Sequence, residues 1–399
     1  MKQKKYNAIV ILALLFVIGF LGELDYQLIP PLLPLLAKDF RVDPGYGARA
    51  VTVYSLSAAF FSLLFGYLSD RHGRRPFILL GLLSFSFAAF FTSHARSVGS
   101  FFLLRFLSGM ATGAIVPSMT SLAADSFRYE QRGRAMGVLS MPYFMAAIIG
   151  IPVAAIVASA LGWRPIFRAI SVTALGCAIV IYRVLRDNPS EIPRGIESPQ
   201  RLEFERIQSV WKRIIKRRDT LSILLASMLS SSAIVGFITY LGSHLATRYH
   251  LSVKQVGFVY LFCGVASVFG APLSGFISDK WAKRPLLILS GAVLAFCFLV
   301  IPELPWNPWL FTVLGLAGLS IAFRIAPFLA ITTELVLPEE RGTVLALRTT
   351  LSQLGIAVTT YVASHAFLYK GFSLVGLLVA LELFSSSLLV FFFVREPES

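Results

Sequence analysis

Five charged side chains interrupt stretches that are otherwise almost wholly apolar. Glu23 and Asp25 break the run AIVILALLFVIGFLGELDYQLIP, Arg105 sits in FFLLRFLSGMATGA, Arg324 in GLSIAFRIAPF and Arg348 in VLALRTTLSQLGIA. An ionised group at the centre of a membrane helix costs about 2.5–3.5 kcal/mol on insertion scales unless it meets a partner or water. Two kinds of chemistry justify that placement. A carboxyl facing a wet cavity can take and release a proton, whereas a guanidinium keeps its charge and must answer an acid or an anionic ligand. Glu23 and Asp25 are two residues apart, so on a helix they point to different sides and have separate roles. One is expected to face a cavity and the other Arg105; the plainer alternative is a static ion pair with Arg105. Tyr26 and Gln27 are placed to line the same cavity. Arg324 and Arg348 are candidates for an anionic group on a substrate, or for internal pairs with Glu334 or Glu382. The structure must decide between these.

The elements that position these groups follow from composition. Of 399 residues 56% are apolar and 14% charged, far too much hydrocarbon for a water-soluble protein to hide. Runs of about 20 apolar residues, the length that crosses a ~30 Å hydrocarbon core, recur along the chain. They predict an all-α polytopic membrane protein of about twelve spans, near 8–37, 46–69, 76–95, 99–125, 134–160, 165–186, 220–247, 254–278, 285–302, 307–334, 342–369 and 371–394. The apolar N-terminal run lacks a small-residue cleavage site and continues into Glu23 and Pro30, so it is read as a retained first span. Pro30, Pro31 and Pro34 are expected to bend its far end. The long polar stretch after span six opens Pro-rich and becomes RLEFERIQSVWKRIIKRR, a basic amphipathic pattern suited to a membrane surface. It divides the chain into an N-terminal six-helix bundle (1–186), a linker (187–218) and a C-terminal six-helix bundle (219–399).

The net charge of +15 lies in short loops rather than along one soluble face, so it reads as a topology signal and not as a nucleic-acid footprint. With the N-terminus inside, twenty-four Lys and Arg fall in inner segments and nine in outer loops, which places both termini in the cytoplasm. Cys177, Cys263 and Cys297 are isolated, so neither a metal nor a disulfide is indicated. His94, His244 and His365 lie near span ends as interfacial polar groups.

A dense charged turn, GYLSDRHGRRP at 66–76, separates spans two and three, and GFISDKWAKRP repeats it at 275–285. Gly66, Asp70, Arg75 and Pro76 map onto Gly275, Asp279, Arg284 and Pro285 with one offset of 209, which also carries Gly109 to Gly318, Asp125 to Glu334 and Arg132 to Arg341. Two parallel six-span repeats give such a pattern.

GYLSDRHGRRP resembles the loop signature of the major facilitator superfamily. LLRFLSGMATGA resembles its fourth-span pattern, with Ser108 where Gln is usual. AAIIGIPVAAIVASALGWRPIF resembles its antiporter motif, with Ile151 splitting the Gly-Pro pair and Ala154 and Ala155 in place of two glycines. The resemblance covers the whole chain, with bacterial drug/proton antiporters as the nearest look-alikes. It implies a transporter, not an enzyme, working by alternating access without a cofactor, the proton being the coupling ion. Glu23, Asp25 and Arg105 would couple the proton; Tyr26, Gln27, Arg324 and Arg348 would bind substrate. A cytoplasmic gate would comprise Gly66, Asp70, Arg71, Gly73, Arg74, Asp125, Arg132, Asp279, Arg284, Glu334 and Arg341, with the motif acid latching the two halves. The implied setting is a bacterial inner membrane, with the protein a monomer among lipids. Efflux by proton antiport of a small amphipathic molecule or drug is the first reading. Proton-linked symport or exchange of an organic anion or zwitterion is the second, and translocation of a lipid-type cargo a third. No GxxxxGK[ST] pattern is present, which argues against an ATP-driven pump.

Overall fold

A hydrocarbon solvent offers no partner for a backbone N–H, so apolar runs of this length fold as helices that satisfy their own amides. The computed structural model describes residues 8–126, 129–184, 217–280, 283–337 and 341–394; within these, the side chains of 8–9, 70, 124–126, 129–136, 278–280 and 342 are not described. The sequence-predicted linker helix and the side chains of Asp70, Asp125, Arg132 and Asp279 therefore lie outside the described residues. The helices are α1 (Ala8–Gln27), α2 (Ile29–Phe40), the single turn α3 (Pro44–Gly47), α4 (Arg49–His72), α5 (Arg74–Thr92), α6 (Val98–Ser126), α7 (Tyr129–Met145), α8 (Ile151–Leu161), α9 (Arg164–Val184), α10 (Arg218–Arg248), α11 (Val253–Lys280), α12 (Lys283–Val300), α13 (Pro308–Glu334), α14 (Arg341–Lys370) and α15 (Phe372–Phe393).

Among the described residues eleven segments are long and apolar enough to span a membrane. The thirty-residue α14, eleventh in chain order, brings the spans to twelve; Thr349, Thr350, Ser352, Gln353, Thr359, Thr360 and Ser364 lower its hydropathy. Two spans differ in detail from the sequence reading. The first is α1 followed by α2, and the join at Leu28 is one residue long because Pro30 sits at the start of the new helix. Proline there lacks only an N–H that would be unsatisfied anyway. The fifth span is α7 and α8 joined through a π-helical turn at Ala146–Gly150. The Pro152 ring would clash with the Ile148 carbonyl in a regular α-helix, and the wider turn relieves this. Gly150 lies hard against α1: a Cβ there would be 2.5 Å from Leu24 Cδ1.

By contacts the chain forms two compact units. One holds the first-half helices with Thr239–Leu261, the C-terminal end of α10 and the first turns of α11; the other holds the remaining second-half helices. In the first unit α6 packs along α4 and α5, and α5 along α9. Gly109 makes the α4–α6 crossing possible, since a Cβ would strike the Tyr54 carbonyl oxygen and lie 3.0 Å from Ser57 Cβ. Small residues at such crossings are how helices associate in lipid. A Cβ on Gly242 would lie 2.6 Å from the Pro30 carbonyl oxygen, which is how closely α10 approaches the start of α2.

In the second unit α12 packs on α13 and α15, with Phe237 and Phe298 stacked at 3.9 Å. Gly318 there repeats the task of Gly109: its Cβ would lie 2.7 Å from the Cys263 carbonyl oxygen and 3.2 Å from Ala266 Cβ. Tyr54, Ser57 and Gly109 become Cys263, Ala266 and Gly318 under the shift of 209, so one contact is built twice.

Candidate functional site

The two span-one acids are separated by the geometry of α1. Asp25 is fully buried, and Arg105 of α6 grips both its oxygens, Nη1 to Oδ1 at 2.9 Å and Nη2 to Oδ2 at 2.5 Å. This bidentate fork is the strongest form of such a pair. The Arg105 guanidinium also lies 5.0 Å from the ring of Tyr54, whose hydroxyl donates to Thr112 Oγ1 at 2.9 Å. Glu23 is half-buried and meets a neutral group: Gln27 Nε2 donates to its Oε2 at 3.1 Å and to the Tyr143 carbonyl at 3.1 Å. Among the described residues Glu23 forms no ion pair. Tyr26 stacks near Tyr54, ring centres 5.2 Å apart. Arg105 Nε and Ser108 Oγ are buried without a hydrogen-bond partner among the described residues, and the buried Tyr26 Oη and Ser55 Oγ face each other with no closer partner. Buried polar atoms in native proteins pair with protein, water or a ligand, so these atoms leave hydrogen-bonding capacity unused around the Asp25–Arg105 pair.

Arg324 and Arg348 belong to the second unit. Arg324, 2% exposed, donates to Ser230 Oγ at 2.7 Å, to the Leu287 carbonyl at 2.8 Å and to Ser386 Oγ at 3.1 Å. Its charge is answered by hydroxyls and a carbonyl rather than by Glu334 or Glu382. Arg348 is half-buried and its Nε donates to Ser227 at 2.7 Å.

At the gate turn, Gly73 joins α4 to α5 at φ +92°, a conformation that glycine alone adopts without strain. Arg71 is exposed, Arg74 reaches Ser69 Oγ at 3.4 Å, and Gly66 faces Pro117. Arg75 donates to the Tyr182 carbonyl at 2.7 Å and stacks on that ring, capping the end of α9. Arg284 does the same to Val390 and Phe391 at the end of α15. A cation answering the last carbonyls of a helix satisfies orphan acceptors and the helix dipole together. Arg75 and Tyr182 become Arg284 and Phe391 under the shift of 209, a second repeated contact. Glu334 accepts from Lys283 Nζ at 2.5 Å, while Arg341 Nε donates to the Thr333 carbonyl at 3.1 Å.

One cluster escaped the sequence reading. Asp39 accepts from Trp163 Nε1 at 3.0 Å and Arg164 Nη1 at 2.6 Å, and Arg164 Nη2 reaches the Ala95 carbonyl at 3.0 Å. Trp163 and Arg164 are the GWR of the fifth-span motif; Asp39, more than a hundred residues away, carries no local signal.

Long apolar helices in two six-span repeats, with charged groups buried among them, are the architecture of a polytopic membrane transporter. The family model of the Major Facilitator Superfamily matches residues 15–360 and 244–399, and the chain belongs to that family. It is 27% identical over 361 residues to the uncharacterized MFS-type transporter YceJ of Bacillus subtilis, covering 90% of this chain and 88% of that protein. It is 25% identical over 293 residues to a bicyclomycin resistance protein homolog of Haemophilus influenzae, covering 73% and 72%. In fold it is similar to a solved D-xylose-proton symporter, with TM-score 0.76, 17% identity and 98% of both chains covered. The protein is thus an all-α membrane transporter and not an enzyme.

Proposed function

We propose that the protein is a proton-coupled secondary transporter that exports a small amphipathic molecule by antiport, with Glu23 as the carboxyl that takes the proton. The observation carrying this reading is the division of labour on α1. Protonating Asp25 would break a buried bidentate pair, whereas the partly buried Glu23 has only the neutral Gln27 to satisfy. Glu23 can therefore change charge without stranding a buried cation. Asp25 and Arg105 hold α1 against α6, and Tyr26, Gln27 and the buried polar atoms around that pair form the cargo recess. One proton falling through a force near 180 mV yields roughly 4 kcal/mol, about a thousandfold cargo gradient. The protein works as a monomer in a bacterial inner membrane with both termini cytoplasmic. The 66–76 and 275–285 turns, which carry Asp70 and Asp279, form the gate together with Asp125 and Arg132 and their repeat counterparts Glu334 and Arg341.

The test is flux in proteoliposomes under an imposed pH gradient, with ethidium as the cationic amphipathic probe. Antiport moves ethidium against the proton flow; no response to the gradient overturns the reading for this class of cargo. A second reading, proton-linked uptake of an organic anion, is favoured by Arg348, which is partly buried and bound through Nε to a hydroxyl rather than to a carboxylate. Glucuronate accumulating in the direction of proton flow, and lost in Arg348→Gln, would select it.

A further inference from the structure

Glu382 stands near the middle of α15 and is that helix's one charged residue. Its carboxyl is held by two hydroxyls from two other helices: Thr359 Oγ1 of α14 donates to Oε1 at 2.6 Å and Ser232 Oγ of α10 to Oε2 at 2.9 Å. Among the described residues no cation pairs with it. The surrounding helices explain why. No charged residue lies on α12 between Arg284 and its end at Val300, on α10 between Asp219 and His244, or on α14 between Arg348 and His365. The Arg324 guanidinium of α13 is engaged one turn along α15 at Ser386, and Arg348 at Ser227.

Ser232 Oγ has a second acceptor, the Leu229 carbonyl at 3.0 Å, but only one hydrogen to give. From this we infer that Glu382, Ser232 and Thr359 form a second proton-binding site, in the second half of the transporter. With Glu382 ionised, Ser232 donates to Oε2. When a proton from solvent binds Oε2, the new O–H donates to Ser232 Oγ, whose own hydrogen turns to the Leu229 carbonyl, while Thr359 still donates to Oε1. Both charge states are satisfied by rotating one hydroxyl, with no movement of heavy atoms. A proton needs no cavity, and neither hydroxyl need leave.

The repeat places this site at a telling register. The shift of 209 carries Glu23 of α1 to Ser232 of α10, and Gly150 of the fifth span to Thr359 of α14. The first half supplies a carboxyl where the second supplies a hydroxyl, and the second half's carboxyl comes instead from α15. As a second coupling proton, Glu382 rests on the proton-coupled reading above; as a protonation site it does not.

The experiment is infrared difference spectroscopy of the full chain in lipid bilayers between acidic and alkaline buffer, with the proton alone as ligand. The expected result is a carboxylic C=O band that titrates, loses a component in Glu382→Gln and shifts in Ser232→Ala. A Glu382→Gln difference spectrum that superimposes on that of the unsubstituted protein overturns the inference. If Glu382→Gln does not fold, an unshifted band in Ser232→Ala does the same. A band that responds to sodium at fixed pH also overturns it, in favour of a metal-cation site. Loss of gradient-driven ethidium flux with this band intact would count against the transport reading alone.

Discussion

Asp25 and Glu23 differ by half a turn of one helix and by everything that surrounds them. Removing one partner of a buried pair strands the other charge, at about 3–5 kcal/mol. Asp25→Asn and Arg105→Gln should each lower the thermal midpoint in detergent strongly, and the double variant should lose less than the two single losses combined. Glu23→Gln should melt close to the unsubstituted protein, because its Gln27 contact can be kept by an amide. A Glu23→Gln melting loss as large as that of Asp25→Asn would show that the two acids share a structural role. The sequence made this division partly legible: a spacing of two separates the faces, and Arg105 announces the need for an acid. It did not say which acid, since both lie on one apolar run and the choice depends on how α1 is rotated against α6. Glu382 and Asp39 were harder to read. Their partners, a serine, a threonine, a tryptophan and an arginine, lie 23 to 150 residues away, and no local pattern links them to either carboxyl.

At the scale of elements, glycine placement and proline chemistry set the crossings. Gly109 and Gly318 each admit the carbonyl of a neighbouring helix where a Cβ would collide. Forcing extra volume into such a contact costs about 1–3 kcal/mol. Gly109→Val and Gly318→Val should therefore both lower the thermal midpoint, whereas Gly22→Ala, with nothing within 4 Å of the new Cβ, should not. Equal midpoints for all three would refute the close-approach account. The ion pair between Lys283 and Glu334 is part-exposed on both sides, so its static worth is below about 1 kcal/mol. If the pair belongs to the gate, Lys283→Glu should slow transport with little change in melting, and adding Glu334→Lys should restore the rate. The break at Leu28 was readable from Pro30, Pro31 and Pro34. The π turn at Ala146–Gly150 was not, because a proline says that a helix must adjust and not which adjustment it takes.

Across the whole molecule, a shift of 209 residues visible in two loops reappears as repeated contacts, Gly109 on Tyr54 with Gly318 on Cys263, and Arg75 on Tyr182 with Arg284 on Phe391. Helix count and repeat were legible because lipid imposes length and hydropathy on every span. The polar groups within each half have diverged, and with them the legibility of the site: Glu23 has no carboxyl counterpart at Ser232, nor Arg105 a cation at Leu314. Halves that share a scaffold but not their charges carry different chemistry at equivalent positions. The most direct measurement is therefore ethidium flux in proteoliposomes carrying Glu23→Gln. The account predicts that flux driven by a pH gradient is abolished while ethidium-for-ethidium exchange, which moves no net proton, persists. Full gradient-driven flux in Glu23→Gln would contradict it.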